Sequence, residues 1–161
     1  MNLHAIAMKH ISRVHPGTNV IAIRCLGQGS DNGRIRYHYG KCEKATAQKQ
    51  YIGGDDSAVH DAHIQIDMQR KFYLALKGPA LDSGNREHGT GGAYLYEPDT
   101  GDLWKVFSVA EDFKSVGWAL YFGALQVPGT ALPEVIEALN LSGLLTPKQI
   151  EIFRGRHGKN V

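Results

Sequence analysis

Residues Gly91–Val109 read GGAYLYEPDTGDLWKVFSV, and this stretch decides the fold class. Two apolar-rich runs, Ala93–Glu97 and Leu103–Val109, flank Pro98-Asp99-Thr100-Gly101-Asp102. Proline presets φ for a turn, Asp and Thr can bond their own backbone, and Gly supplies positive φ. The flanking runs therefore predict a β-hairpin. The stretch holds no nucleophile–base pair, no metal-ligand spacing and no phosphate loop, so it reads as scaffold.

Working upstream, Lys71–Lys77 alternates Phe72, Leu74 and Leu76 against Lys71, Tyr73, Ala75 and Lys77, which predicts a strand. Between it and the hairpin lies Gly78–Gly92, a long Gly/Asp/Asn/Ser loop of the kind that is functional or mobile. Arg34–Cys42 places Ile35, Tyr37 and Tyr39 on one face and Arg34, Arg36 and His38 on the other, a half-buried strand. Lys44–Ile52 alternates more weakly and is read as a further strand, and Asn19–Leu26 as another from its β-branched content. Gly27–Gly33 (GQGSDNG) is read as a connection that ends in Asp31-Asn32-Gly33 turn chemistry. Leu3, Ile6, Ala7, His10, Ile11 and Val14 share one helical face, predicting an amphipathic helix over residues 3–14 that packs on the sheet. Asn2 caps it and His15-Pro16-Gly17 ends it. A short helix is expected over about 58–66.

Downstream, Ala110–Gln126 carries competing signals. Phe113, Val116, Leu120 and Ala124 fit a helix, whereas Gly117, Gly123 and the aromatic-rich Trp118–Phe122 fit a buried strand. Periodicity alone leaves both open. Val127-Pro128-Gly129 marks a boundary, beyond which Pro133–Leu139 and Thr146–Arg154 read as helices. Thr146, Pro147 and Gln149 form a capping box with Pro at the first helical position. A basic, Gly-spaced tail, residues 154–160, closes the chain.

The 161 residues suffice for one domain, or a small domain with an appendage. Hydrophobic content of 42% and charged content of 21% are globular, and a net charge of +2 is too small to argue nucleic-acid binding by itself. Cys25 and Cys42 match no metal or redox spacing and read as free thiols of a reducing cytoplasm. No apolar run approaches the ~20 residues a spanning helix needs, and no secretory signal is read at the N-terminus.

Candidate chemistry is thin. His60 and His63, with Asp61 and Asp67 nearby, would share a helix face, but no third metal ligand with defined geometry is evident. Cys25 with a distant His is a formal nucleophile pair, outweighed by a packing role in a strand. His10, His15 and His38 with Arg or Lys offer acid–base cleavage of RNA, a set that every small basic protein offers. GQGSDNG and HGTGG match neither the P-loop nor the dinucleotide fingerprint. No catalytic, cofactor or metal residue is assigned.

The order of signals resembles a family of small virion proteins of tailed bacteriophages, the neck, collar or head-completion proteins that join the DNA-filled head to the tail. The residues that carry the resemblance are Met1-Asn2-Leu3-His4-Ala5-Ile6 with its short helix, the Ala45–Gln48 run, and Gln69-Arg70-Lys71-Phe72-Tyr73-Leu74. A Gly-Gly followed by Gly101-Asp102-Leu103-Trp104, and an apolar run ending Leu125-Gln126, complete it. The resemblance covers roughly residues 1–126, is carried by order and spacing, and ends at Pro128, where the helices depart from the family pattern.

It implies that Val116–Leu125 is a strand, and hence an α+β, mainly β fold. This would be a small antiparallel β-barrel with an N-terminal helix over residues 1–126, and a C-terminal helical extension with a basic tail over 127–161. It further implies a closed homo-oligomeric ring in the phage neck or tail, assembled in the host cytoplasm. Portal, adaptor, tail-tube or sheath proteins would be neighbours, with no cofactor, no enzyme activity and no membrane. In such a ring Arg34, Arg36, Arg154, Arg156 and Lys159 become candidate DNA-facing residues, because repetition multiplies a weak charge. Asp82, Asn85, Arg86 and His88 of the long loop and Phe153 of the last helix become candidate inter-subunit contacts. The rivals are a tail-completion or baseplate adaptor ring, a small nuclease or toxin using His and Arg, and a phage-encoded inhibitor of a host protein.

Overall fold

The computed structural model describes residues 16–52, 68–84, 91–113 and 118–158, without the side chains of residues 110–113. Among the described residues six strands form one antiparallel sheet: β1 (Thr18–Asp31), β2 (Arg34–Tyr51), β3 (Gln69–Leu74), β4 (Tyr94–Glu97), β5 (Asp102–Phe113) and β6 (Trp118–Leu125). Their order, β1-β2-β3-β6-β5-β4, closes on itself because β4 returns to β1 through Ile21↔Tyr96, Ala22↔Leu95 and Ile23↔Tyr94. Two helices follow, α1 (Pro133–Ser142) and α2 (Pro147–His157).

Alternation along the strands supplies two cores. Val20, Ala22, Phe72, Leu95, Val106 and Tyr121 pack together on one side of the sheet, around a Trp104 ring set edge-on to Phe72 at 5.4 Å. Their neighbours on β1 and β4, Ile21, Ile23, Tyr94 and Tyr96, point the other way and meet Val135, Leu139 and Phe153 of the two helices. Four side chains each worth ~1.5–3 kcal/mol on burial fix the helices to β1 and β4. The boundary near residue 126 is therefore a change of element type, and one core runs across it.

The hairpin around Pro98–Asp102 stands as predicted, with Glu97↔Asp102 as its last pair. Residues 118–125 are a strand, paired with β3 on one side and β5 on the other, which resolves the open helix–strand choice. The capping box holds: Gln149 N–H donates to Thr146 Oγ1 at 3.3 Å and Thr146 N–H donates to Gln149 Oε1 at 3.0 Å. Three boundaries differ from expectation. Gly27–Asp31 is strand, continuous with β1, and only Asn32 and Gly33 turn. Both have positive φ, 50° and 78°, the twist a two-residue hairpin loop requires. Arg34–Tyr51 is one strand of 18 residues, where two were expected, because the break at Lys41–Glu43 is a bulge within it. β3 begins at Gln69 and ends at Leu74, before Lys77. The helices expected over 3–14 and about 58–66 lie outside the described residues.

Candidate interaction surface

β1 and β2 are far longer than the sheet that closes around them. β1 pairs with β4 only at Ile21–Ile23, and β2 pairs with β3 only from Ala47 onward. Beyond those points the two strands continue as a two-stranded arm, paired with each other from Arg24↔Gly40 to Asp31↔Arg34. At ~3.4 Å per residue its ladder runs roughly 27 Å. Register shifts at Ala22/Arg24 and Cys25/Gly27 sit at its root, with Lys41 at φ 46° on the facing strand. Bulges of this kind bend a strand and increase its twist, which is how the arm departs from the closed sheet.

A buried ion pair clamps the root. Arg24 donates from Nη2 to Glu43 Oε2 at 2.7 Å, and the two side chains are 10% and 17% exposed. It also donates from Nη1 to Lys41 O at 2.9 Å, and from Nε and Nη2 to Pro79 O at 3.0 and 2.9 Å. Glu43 accepts the backbone N–H groups of Lys77 and Gly78, so the pair ties the segment after β3 to the arm. Burial alone would raise the Glu43 carboxyl, but the hydrogen bonds from Arg24, Lys77 and Gly78 outweigh it and hold it below the usual carboxylate range.

The two faces of the arm differ. Tyr37 and Tyr39 lean on the body: the Tyr39 ring stands edge-on to Tyr94 at 5.5 Å and its hydroxyl donates to Gly91 O at 3.4 Å. A Cβ on Gly91 would lie 2.6 Å from Tyr37 Cγ, so the chain passes directly over that ring. Burial, reinforced by Tyr94, pushes the Tyr39 hydroxyl above its ordinary value. The opposite face carries Arg34, Arg36 and His38, all exposed, facing Asp31, Gly29 and Gly27 across the ladder. Leu26 and Ile35, 52% and 65% exposed, complete an arm far less buried than its alternation suggested.

The other end of the sheet is closed by side chains. Buried Glu97 accepts from Trp104 Nε1 at 2.8 Å and from Lys49 Nζ at 2.9 Å. α2 latches the β4–β5 turn: Gln149 Nε2 donates to Asp99 Oδ1, Arg156 pairs with Asp102, and His157 Nε2 bonds Gly101 O at 2.7 Å. Since a carbonyl only accepts, that ring nitrogen carries the proton. Gly101, at φ 82°, lies against Ile152 and Arg156 where a side chain would collide.

These placements divide the residues singled out from sequence. Arg34, Arg36 and His38 share one arm face, as their alternation predicted. Arg154 and Arg156 stand on α2, and Arg156 is engaged by Asp102. Phe153 is a correction: at 1% exposure its ring packs on Tyr96 and His157, so it offers no surface to a neighbouring copy. Asp82 is exposed and its backbone C=O accepts from Ala93 N–H at 2.7 Å. Lys159, Asn85, Arg86 and His88 lie outside the described residues, as do His10, His15, His60 and His63. The Cys25 thiol accepts from Gly91 N–H at 3.3 Å, and Cys42 donates to Ala138 O at 3.6 Å. Both are structural contacts, and burial raises the Cys42 thiol.

Among the described residues no group of three or more His, Cys, Asp or Glu is placed to hold a metal. No described helix is long and apolar enough to cross a membrane. Clefts of about 180, 210 and 300 Å³ occur at the arm root, beside Lys49 and Trp104, and beside α1, at or below the usual size of a small-molecule site. No protein-family model matches the chain, and no curated protein matches it.

Proposed function

We propose that the chain is a structural protein of a tailed-phage particle, a small barrel that assembles into a closed ring at the head–tail junction, around the path of the DNA. The observation that carries this reading is where the open strand edges lie. Pairing alternates direction around the sheet, so the β1–β2 turn and the 113 and 118 ends of β5 and β6 lie at the same end. There, among the described residues, residues 26–31 of β1 and 34–46 of β2 have no outer strand partner, and β5 runs past its pairing with β4 at Lys105.

Where all six described strands pair in turn, the sheet closes on itself and offers no edge. A two-stranded ribbon is marginal in water by itself, so a long one with exposed Leu26 and Ile35 is best understood as completed by a neighbour. Identical copies joined head to tail, arm against the next body, generate a ring when the rotation closes. Portal, adaptor, tube or sheath proteins would stack above and below it, and the tail-completion position is the same architecture at the other end of the tube.

The test is the assembly state of the purified full chain, by light scattering and negative-stain imaging at about 100 μM. Closed rings of one stoichiometry are expected. A monodisperse monomer, or open fibres, would overturn the reading.

A further inference from the structure

The arm's exposed face suits a particular partner. Residues 24–44 hold five Arg or Lys against two carboxylates, net +3, in a chain whose total is +2. Two of those cations, Arg24 and its partner Glu43 aside, project in one row: Arg34 and Arg36, followed by the His38 imidazole. Side chains two residues apart on one strand face are ~6.8 Å apart, a spacing on the scale of successive phosphates along one nucleic-acid strand.

The facing strand adds no bulk of its own beside the row, and the His38 ring fills the space over it. Gly29 and Gly27 oppose Arg36 and His38 and have no side chains, and the imidazole sits over Gly29, where a Cβ would be 3.0 Å from Nε2. The carboxylate on this face, Asp31, pairs with Arg36 at 3.4 Å, with side chains 54% and 58% exposed. An exposed pair of this kind is worth ~0–1 kcal/mol, so Arg36 is easily redirected to a phosphate. The tyrosine face is held to the body by Gly91 and Tyr94, so the cationic face is the one turned outward.

We infer that the Arg34–Arg36–His38 face of the arm binds the phosphate backbone of double-stranded DNA. The contact carries no sequence information, since it uses phosphates and not base edges. The inference rests on the ring reading for the presence of duplex DNA, and adds to it the residues that touch the DNA.

The experiment is binding of a fluorescent 30-base-pair duplex by the full chain, by anisotropy between 50 and 200 mM salt, with particle mass measured on the same samples. Each phosphate contact adds ~0.9 to the slope of log affinity against log salt. Arg34→Gln/Arg36→Gln should flatten the slope by about 1.8 per arm engaged, roughly a twelvefold smaller loss of affinity over that fourfold change in salt, with mass and melting temperature unchanged. Lys148→Gln, an exposed charge at the start of α2, should leave the slope alone. Arg34→Lys/Arg36→Lys should restore the slope even if the double Gln variant folds poorly.

An unchanged slope in the folded double Gln variant, or equal affinity for a single strand of the same length, would overturn the inference while rings persist. Loss of rings in the wild-type chain would overturn the assembly reading, and the slope difference would still be read on the monomer.

Discussion

Replacing Arg24 with methionine tests the clamp at the root of the arm. The methionine keeps the apolar stem and removes four donated hydrogen bonds: two to Pro79 O, one to Lys41 O and one to Glu43. Glu43 is left 17% exposed, with only the Lys77 and Gly78 amides to balance its charge. Removing one partner of a buried pair costs about 3–5 kcal/mol, and the residual exposure of this pair places it near 3. For a chain of this length that is a fall in Tm of roughly 6–12 °C. Glu43→Gln keeps an oxygen for the two amides and should cost about 1–2 kcal/mol, because hydrogen bonds to a charged group exceed neutral ones by about that much.

The assay is urea unfolding at pH 7 for both single variants and the double variant, with hydrogen exchange at the amides of Lys77 and Gly78. The double variant should be less destabilised than the sum of the singles by more than 1 kcal/mol, and exchange at both amides should accelerate in each. The Glu43 pKa is lower in the folded chain than in the unfolded one. Its stabilisation is therefore complete above the unfolded value and fades as pH falls through the folded one. Wild type and Glu43→Gln should converge in stability as acidification carries the pH below the ordinary carboxylate range. A cost under 1 kcal/mol for Arg24→Met, or single effects that add to within 0.5 kcal/mol, would refute the clamp.

Phe153→Ala removes a fully buried ring that packs on Tyr96 and should cost about 3–5 kcal/mol, with amides of α2 exchanging before those of β1; urea unfolding with site-resolved exchange checks both. Burial, partly offset by Arg156, pushes the Tyr96 hydroxyl up to about 12, so its ionised form is disfavoured in the folded chain. Stability should fall as pH rises from about 10 to about 12, and Tyr96→Phe should lose less over that window in alkaline melting curves; equal losses would refute it.

The legible parts of the chain were those governed by local chemistry. Pro98–Asp102 specifies its own turn, and Thr146, Pro147 and Gln149 specify a helix start, because each needs only residues within reach along the backbone. Residues 118–125 were ambiguous because a strand buried on both faces has no alternation: Ala119 and Tyr121 face one core while Leu120 and Phe122 are buried on the other side. The arm's strand and its two faces were legible, and its burial only in part. Its alternation of tyrosines with basic residues is real, but the burial it suggested depends on what covers each face, and only Tyr37 and Tyr39 meet the body. Glycines at 27 and 29, read as a loop, lie inside a strand where His38 and Arg36 face them. The Arg24–Glu43 clamp and the Glu97–Lys49–Trp104 cluster join residues 19 and up to 55 apart, and no spacing rule announces them.

The arm separates two kinds of contact that usually compete for one surface. Backbone edges lie in the plane of the ribbon and offer hydrogen bonds to another strand, while Arg34, Arg36 and His38 project perpendicular to it. A neighbour that takes an edge leaves the cationic face uncovered, and a phosphate on that face leaves the edge free. Substituting the arginines therefore should alter charge without altering assembly. A proline on an edge, such as Ser30→Pro, should weaken assembly without removing a charge. If both substitutions moved both readouts together, the edge and the face would be one surface, and the division of labour argued from the register would fail.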